Sequence, residues 1–154
     1  MQRKGKRRRA LRQWLLAVVC VAALGLLLTQ CPANRDGAPG QLAQAMQDGT
    51  AAARSGALAL DLFHRDRSTA QLAAVQLSDA RDEAVKAYKG IAEVRVQDPM
   101  DVHRQSVLTD AITGIITDLN TASVAVRGVS GQPPLPTLHD RLLSAAANLE
   151  SGYR

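Results

Sequence analysis

Residues 108–129 read LTDAITGIITDLNTASVAVRGV, and their apolar side chains decide the fold. Leu108, Ile112, Ile115, Leu119, Ala122, Val126 and Val129 stand alternately four and three residues apart. That spacing keeps one face of a 3.6-residue helix apolar, whereas a half-buried strand would alternate at every second residue. Asp98-Pro99 supplies a start, with Asp98 as N-cap and Pro99 at the first helical position. Gly128 and Gly131 supply the stop.

Working outward, the same rhythm recurs. Ala73, Leu77, Ala80, Ala84, Ala87, Ile91 and Val94 predict a preceding helix. Ser68 with Gln71 reads as its capping box, and Asp82 with Lys86 as an i,i+4 ion pair on its outer face. Before that, Leu42, Ala45, Gly49, Ala52, Gly56, Ala59 and Phe63 predict a helix over about 41–63. Its stripe is built of small side chains, and each glycine gives up as much as ~1 kcal/mol of helix propensity. Gly49, Ala52, Gly56 and Ala59 therefore mark a closely packed neighbour, a partner surface or a locally flexible helix. After the central helix, Pro133-Pro134-Leu135-Pro136 forms a stiff connector. Leu138, Leu142, Ala145, Leu149 and Tyr153 then predict a shorter last helix, capped by Thr137 with Asp140 in its first turn. Short links between long helices favour antiparallel neighbours. The expected fold is all-α, an up-down antiparallel four-helix bundle of three long helices and one shorter, over 41–154.

The N-terminus has a different chemistry. Residues 1–12 carry seven basic side chains and no acid, and 13–33 hold no charge at all. Trp14 to Leu28 is apolar throughout and would span about 22 Å as a helix; extension through Cys31 reaches the ~30 Å of a bilayer core. The expectation is a basic cytoplasmic n-region, a transmembrane anchor or signal segment over 13–33, and a flexible linker over 34–40. The positive-inside tendency leaves the N-terminus in the cytoplasm and the bundle outside it. The same residues also fit a cleavable signal peptide. Leu28-Thr29-Gln30-Cys31 resembles a bacterial lipoprotein signal, which implies acylation at Cys31; Gln30 stands where that pattern has Gly, Ala or Ser.

Charge separates these regions sharply. Of 19 Lys and Arg residues, 12 remain after position 34, against all 14 acids. The excess of positive charge is thus confined to the n-region, where anionic lipid is the expected partner and nucleic acid is not. Cys20 and Cys31 both fall in the apolar segment, so the bundle has no disulfide and no thiolate metal site.

Chemistry-bearing patterns are sparse. No nucleophile stands beside a base at a recognisable spacing, so no catalytic residue, cofactor or enzymatic activity is expected. In an up-down bundle His64 and His139 share one pole, with His103 about 35 Å away at the other. His64 and His139, with Asp61 or Asp140, are the candidate metal pair. Asp79, Asp82 and Glu83, interleaved with Arg81 and Lys86, read as a solvated face. The functional expectation is a single-pass protein of a bacterial cytoplasmic membrane whose bundle makes protein–protein contacts or self-associates, in assembly, sensing or envelope structure. An exported or lipid-anchored carrier of a small apolar ligand is the alternative. In layout (basic N-terminus, one anchor, helical domain) the chain also resembles phage inner-membrane spanins, which implies an envelope-disrupting role.

Overall fold

A computed structural model describes residues 37–129 and 132–152. Four α-helices fill this region: α1 Ala38–His64, α2 Ala70–Glu93, α3 Pro99–Val126 and α4 Leu135–Gly152. Among the described residues there is no strand, and no helix is long and apolar enough to cross a membrane. The anchor or signal segment and Cys31 lie outside the described residues.

Burial follows the predicted stripes closely. All seven stripe positions of α2 are buried, Val94 included, although that residue is already the C-cap. In α3, Leu108 through Val126 are buried, but Val129 is 75% exposed. The helix unwinds at Gly128, which takes φ 74°. Gly128 N–H donates to Ala125 O and Val129 N–H to Val124 O, so Val129 belongs to a Schellman cap and leaves the helical rhythm. The end of α1 is built the same way without glycine. Asp66 takes φ 55°, and Arg67 N–H donates to Leu62 O at 2.8 Å. A short polar side chain tolerates the left-handed region better than most, which is why the His64–Arg67 connection closes so tightly.

Several helix starts differ from the expected ones. Thr69, not Ser68, caps α2, its hydroxyl accepting from Leu72 N–H at 3.2 Å; the Ser68 hydroxyl instead donates to the Thr69 carbonyl. α1 begins at Ala38 with Pro39 in its first turn, so 38–40 are helical rather than linker. α4 begins at Leu135, which places Thr137 inside the helix rather than at its cap. Within α4, Ala146 rather than Ala145 is buried with Leu138, Leu142 and Leu149, and Tyr153 lies outside the described residues. Lys86 bonds Glu83 at 2.6 Å rather than Asp82, which is taken by Arg81. Asp98 does cap α3, accepting from Met100 N–H at 2.8 Å.

The glycines of α1 reveal how the helices run. A Cβ at Gly49 would lie 3.0 Å from Ile112 and 3.5 Å from Leu149; one at Gly56 would meet Leu119 and Leu142. Moving forward along α1 is therefore moving forward along α3 and backward along α4. Gln105 ties α3 to α2, its Nε2 donating to Ile91 O at 2.8 Å and Val94 O at 3.0 Å. The Ile91 carbonyl, in the last turn of α2, also accepts from Val94 N–H, and the Val94 carbonyl lies at the C-cap just beyond it, so Gln105 adds a donor where the helix runs out of its own.

α1 touches all three other helices, while α2 and α4 do not meet. This explains why its buried face is wider than one stripe, adding Thr50, Ala53, Ala57 and Leu60. α3 and α4 supply most of the large core side chains, including Ile112, Ile115, Leu119, Leu138 and Leu142. The Ala and Gly face of α1 is the complement that lets α3 approach across the diagonal.

Candidate functional site

Small side chains that admit a neighbour on one side leave space on another. Between α1 and α2, Ala52, Ala59 and Ala80 floor a groove of about 400 Å³. Its rim carries Asp48, Asp79 and Glu83, and no Lys, Arg or His lines it. Asp48 accepts from Gln44 Nε2 at 2.8 Å, and Glu83 is held by Lys86. The hydrogen bond to Glu83, with the charge of that carboxylate, raises the Lys86 pKa. Among the described residues Asp79 makes no ion pair. The groove therefore presents carboxylate oxygens over an alanine floor, with Gln76 Oε1 enclosed beside them and accepting no hydrogen bond.

The candidate histidines do come to one place. His64 and His139 line a small cavity of about 70 Å³ at one pole, together with Asp61, Leu60, Leu135 and Pro136. Their polar neighbours are already engaged: Asp61 accepts from Arg65 Nε at 2.8 Å, and His139 Nδ1 lies 2.9 Å from Asp140. Among the described residues no three His, Cys, Asp or Glu side chains gather closely enough to hold a metal ion. His103 lines a separate cavity of about 120 Å³ against Val107, Leu108 and Leu149, where α3 meets the end of α4.

Gly49, Ala52, Gly56 and Ala59 are all buried inside the bundle. Gly49 and Gly56 face Ile112 and Leu119, while Ala52 and Ala59 also floor the α1–α2 groove. Asp101, the one buried acid among the described residues, sits in the first turn of α3, where the helix N-terminus favours negative charge, and pairs with Arg104 at 3.1 Å. This contact is structural.

The outer face of α3 went unnoticed in the sequence. Thr109, Thr113, Thr117 and Thr121 form a row in which each hydroxyl donates to the carbonyl four residues earlier, at 2.7 to 2.9 Å. A fourfold Thr period was readable, but which side of the helix it occupied depended on the packing of α3 between α2 and α4.

Compared with known proteins, the chain matches no family model, no curated protein and no solved structure.

Proposed function

We propose that the chain is a single-pass membrane protein displaying its four-helix bundle outside the cytoplasm, where the bundle works by protein–protein contact. The observation that carries this reading is the segregation of charge. Seven basic residues precede an uncharged apolar stretch, and the positive excess stops there. A basic run immediately before a span holds its own side of the membrane against anionic lipid. The bundle beyond it carries a near balance of charge, which suits a solvated domain rather than a nucleic-acid binder.

The surface chemistry favours contact over catalysis or carriage. A carrier for an apolar ligand needs an enclosed apolar cavity with few polar groups. The α1–α2 groove has three carboxylates on its rim instead. The cavities beside His103 and beside His64 and His139 are far smaller than the ~300 Å³ at which small-molecule pockets begin.

Carbonate washing of membranes tests the proposal. The intact chain is expected to stay in the pellet, because a continuous uncharged span resists extraction. Recovery in the supernatant, shortened by a mass corresponding to cleavage near Cys31, would replace the anchor with a signal peptide. Palmitate labelling lost in Cys31→Ser would establish a lipid anchor in its place.

A further inference from the structure

The α1–α2 groove has the size of a small-molecule site, about 400 Å³ against the ~300–1,000 Å³ of most such pockets. Two of its carboxylates are held by no cation of the chain. Among the described residues Asp79 makes no ion pair, and Asp48 is bonded by the neutral amide of Gln44. The basic side chains nearby are engaged: Arg54 reaches Glu150 on α4, Arg81 holds Asp82, and Lys86 holds Glu83. Negative charge from two helices therefore lines one concave surface without compensation at Asp48 or Asp79.

A second observation is independent of charge. Gln76 lines the same groove, and its Oε1 is buried without a hydrogen-bond donor. Buried polar atoms are nearly always hydrogen-bonded, so an acceptor left over points to a donor from outside the chain. The terminal torsion of glutamine is soft, and a small rotation brings this oxygen to a donor in the groove. The floor beneath is aliphatic, with Ala52, Ala59 and Ala80 joined by the exposed Leu58. From Asp48 to Leu58 the groove follows about 15 Å of helix.

Shape decides which cation fits. Among the described residues no three His, Cys, Asp or Glu side chains gather closely enough to hold a metal ion. Carboxylates spread along a groove are instead met by a cation that is itself extended. The geometry points to a linear aliphatic polyamine, lying along the groove with its methylenes on the alanine floor and its ammonium groups at Asp48 and Asp79. A terminal ammonium brings three donors and no acceptor, enough for a carboxylate and Gln76 Oε1 together. Its hydrogen bonds to carboxylate are charge-assisted, and so stronger than neutral ones. The carboxylates that make the groove unfit for an apolar ligand are what select this one. The inference goes beyond protein–protein contact and rests on the bundle alone, not on the anchor.

Isothermal titration calorimetry of spermidine into the full chain in mild nonionic detergent tests the site. Saturable one-to-one binding is expected. Asp48→Asn/Asp79→Asn is expected to weaken it about tenfold or more. Asp66→Asn/Asp110→Asn removes the same charge from outside the groove and is expected to change it less than about twofold, since distant surface charges are screened. Ala51→Leu fills the groove without touching a charge and is expected to weaken binding as the first pair does. The absence of saturable binding, or binding indifferent to Ala51→Leu, would overturn the site. Equal weakening by the Asp66 and Asp110 changes would reduce it to diffuse attraction and overturn it as well. Butylamine as tight as spermidine would overturn the extended cation. Trilysine tighter than spermidine would overturn the free polyamine and give the groove to a basic protein segment.

Discussion

Gly56→Leu is expected to destabilise the bundle by about 3 kcal/mol, the upper end of the usual cost of overpacking a core. Even the first added carbon would overlap Leu119 Cδ2 and lie 3.3 Å from Leu142 Cδ1, and both leucines are fully buried. A leucine side chain there requires both to shift within the packed core. Urea unfolding followed by circular dichroism would show the midpoint falling with an unchanged slope. Position 49 is more forgiving: a Cβ there lies 3.0 Å from two atoms of Ile112, so a small shift of one side chain accommodates Gly49→Ala. The propensity gain from replacing Gly by Ala, about 1 kcal/mol, then offsets much of the crowding. A Gly56→Leu variant as stable as the parent would mean that α3 does not approach α1 across the diagonal.

Leu119→Ala is the reciprocal change, and it is expected to cost about 2–5 kcal/mol, as buried leucines do when a cavity replaces them. Its value lies in combination. Gly56→Ala in the parent forces Leu119 aside, whereas in the Leu119→Ala background the new methyl enters the space just vacated. The double-mutant cycle should therefore show favourable coupling, roughly 0.5–3 kcal/mol for residues in contact. Additive effects would place the two side chains apart and undo the account of why α1 is so rich in glycine and alanine.

The core was largely legible because its period is a property of the chain alone. Leu108 to Val126 and Ala73 to Val94 are buried where three-four spacing puts them. Errors gather where tertiary contact or cap geometry decides. Val129 fits the stripe numerically, but Gly128 turns the backbone before it can reach the core. Ser68 and Thr69 are equally good caps by type, and the choice between them rests on one residue of register. Lys86 has Asp82 and Glu83 both within helical reach, and took the nearer turn. The breadth of α1's buried face was invisible because an amphipathic stripe implies one neighbour, whereas α1 has three. His64 and His139 line one cavity as topology implied, but Asp61 is engaged by Arg65 and Asp140 by His139 itself, and among the described residues no group of three His, Cys, Asp or Glu side chains could hold a metal ion.

The threonine row of α3 extends the same lesson. Its residue types were in plain view, but a Thr-rich face inside a bundle and one outside it look identical in sequence. Only the position of Ile112 and Leu119 toward α1 turns Thr113, Gly114 and Thr117 outward.

The central claim is that the bundle stands outside the cytoplasm on one N-terminal anchor. Thiol labelling tests it most directly. Leu58, at 58% exposure, offers a reactive position once changed to cysteine in a chain whose Cys20 and Cys31 are replaced by alanine. In intact bacterial spheroplasts a membrane-impermeant maleimide should modify Leu58→Cys as fully as after lysis. Labelling that appears only once the membrane is broken would place the bundle in the cytoplasm and contradict the account.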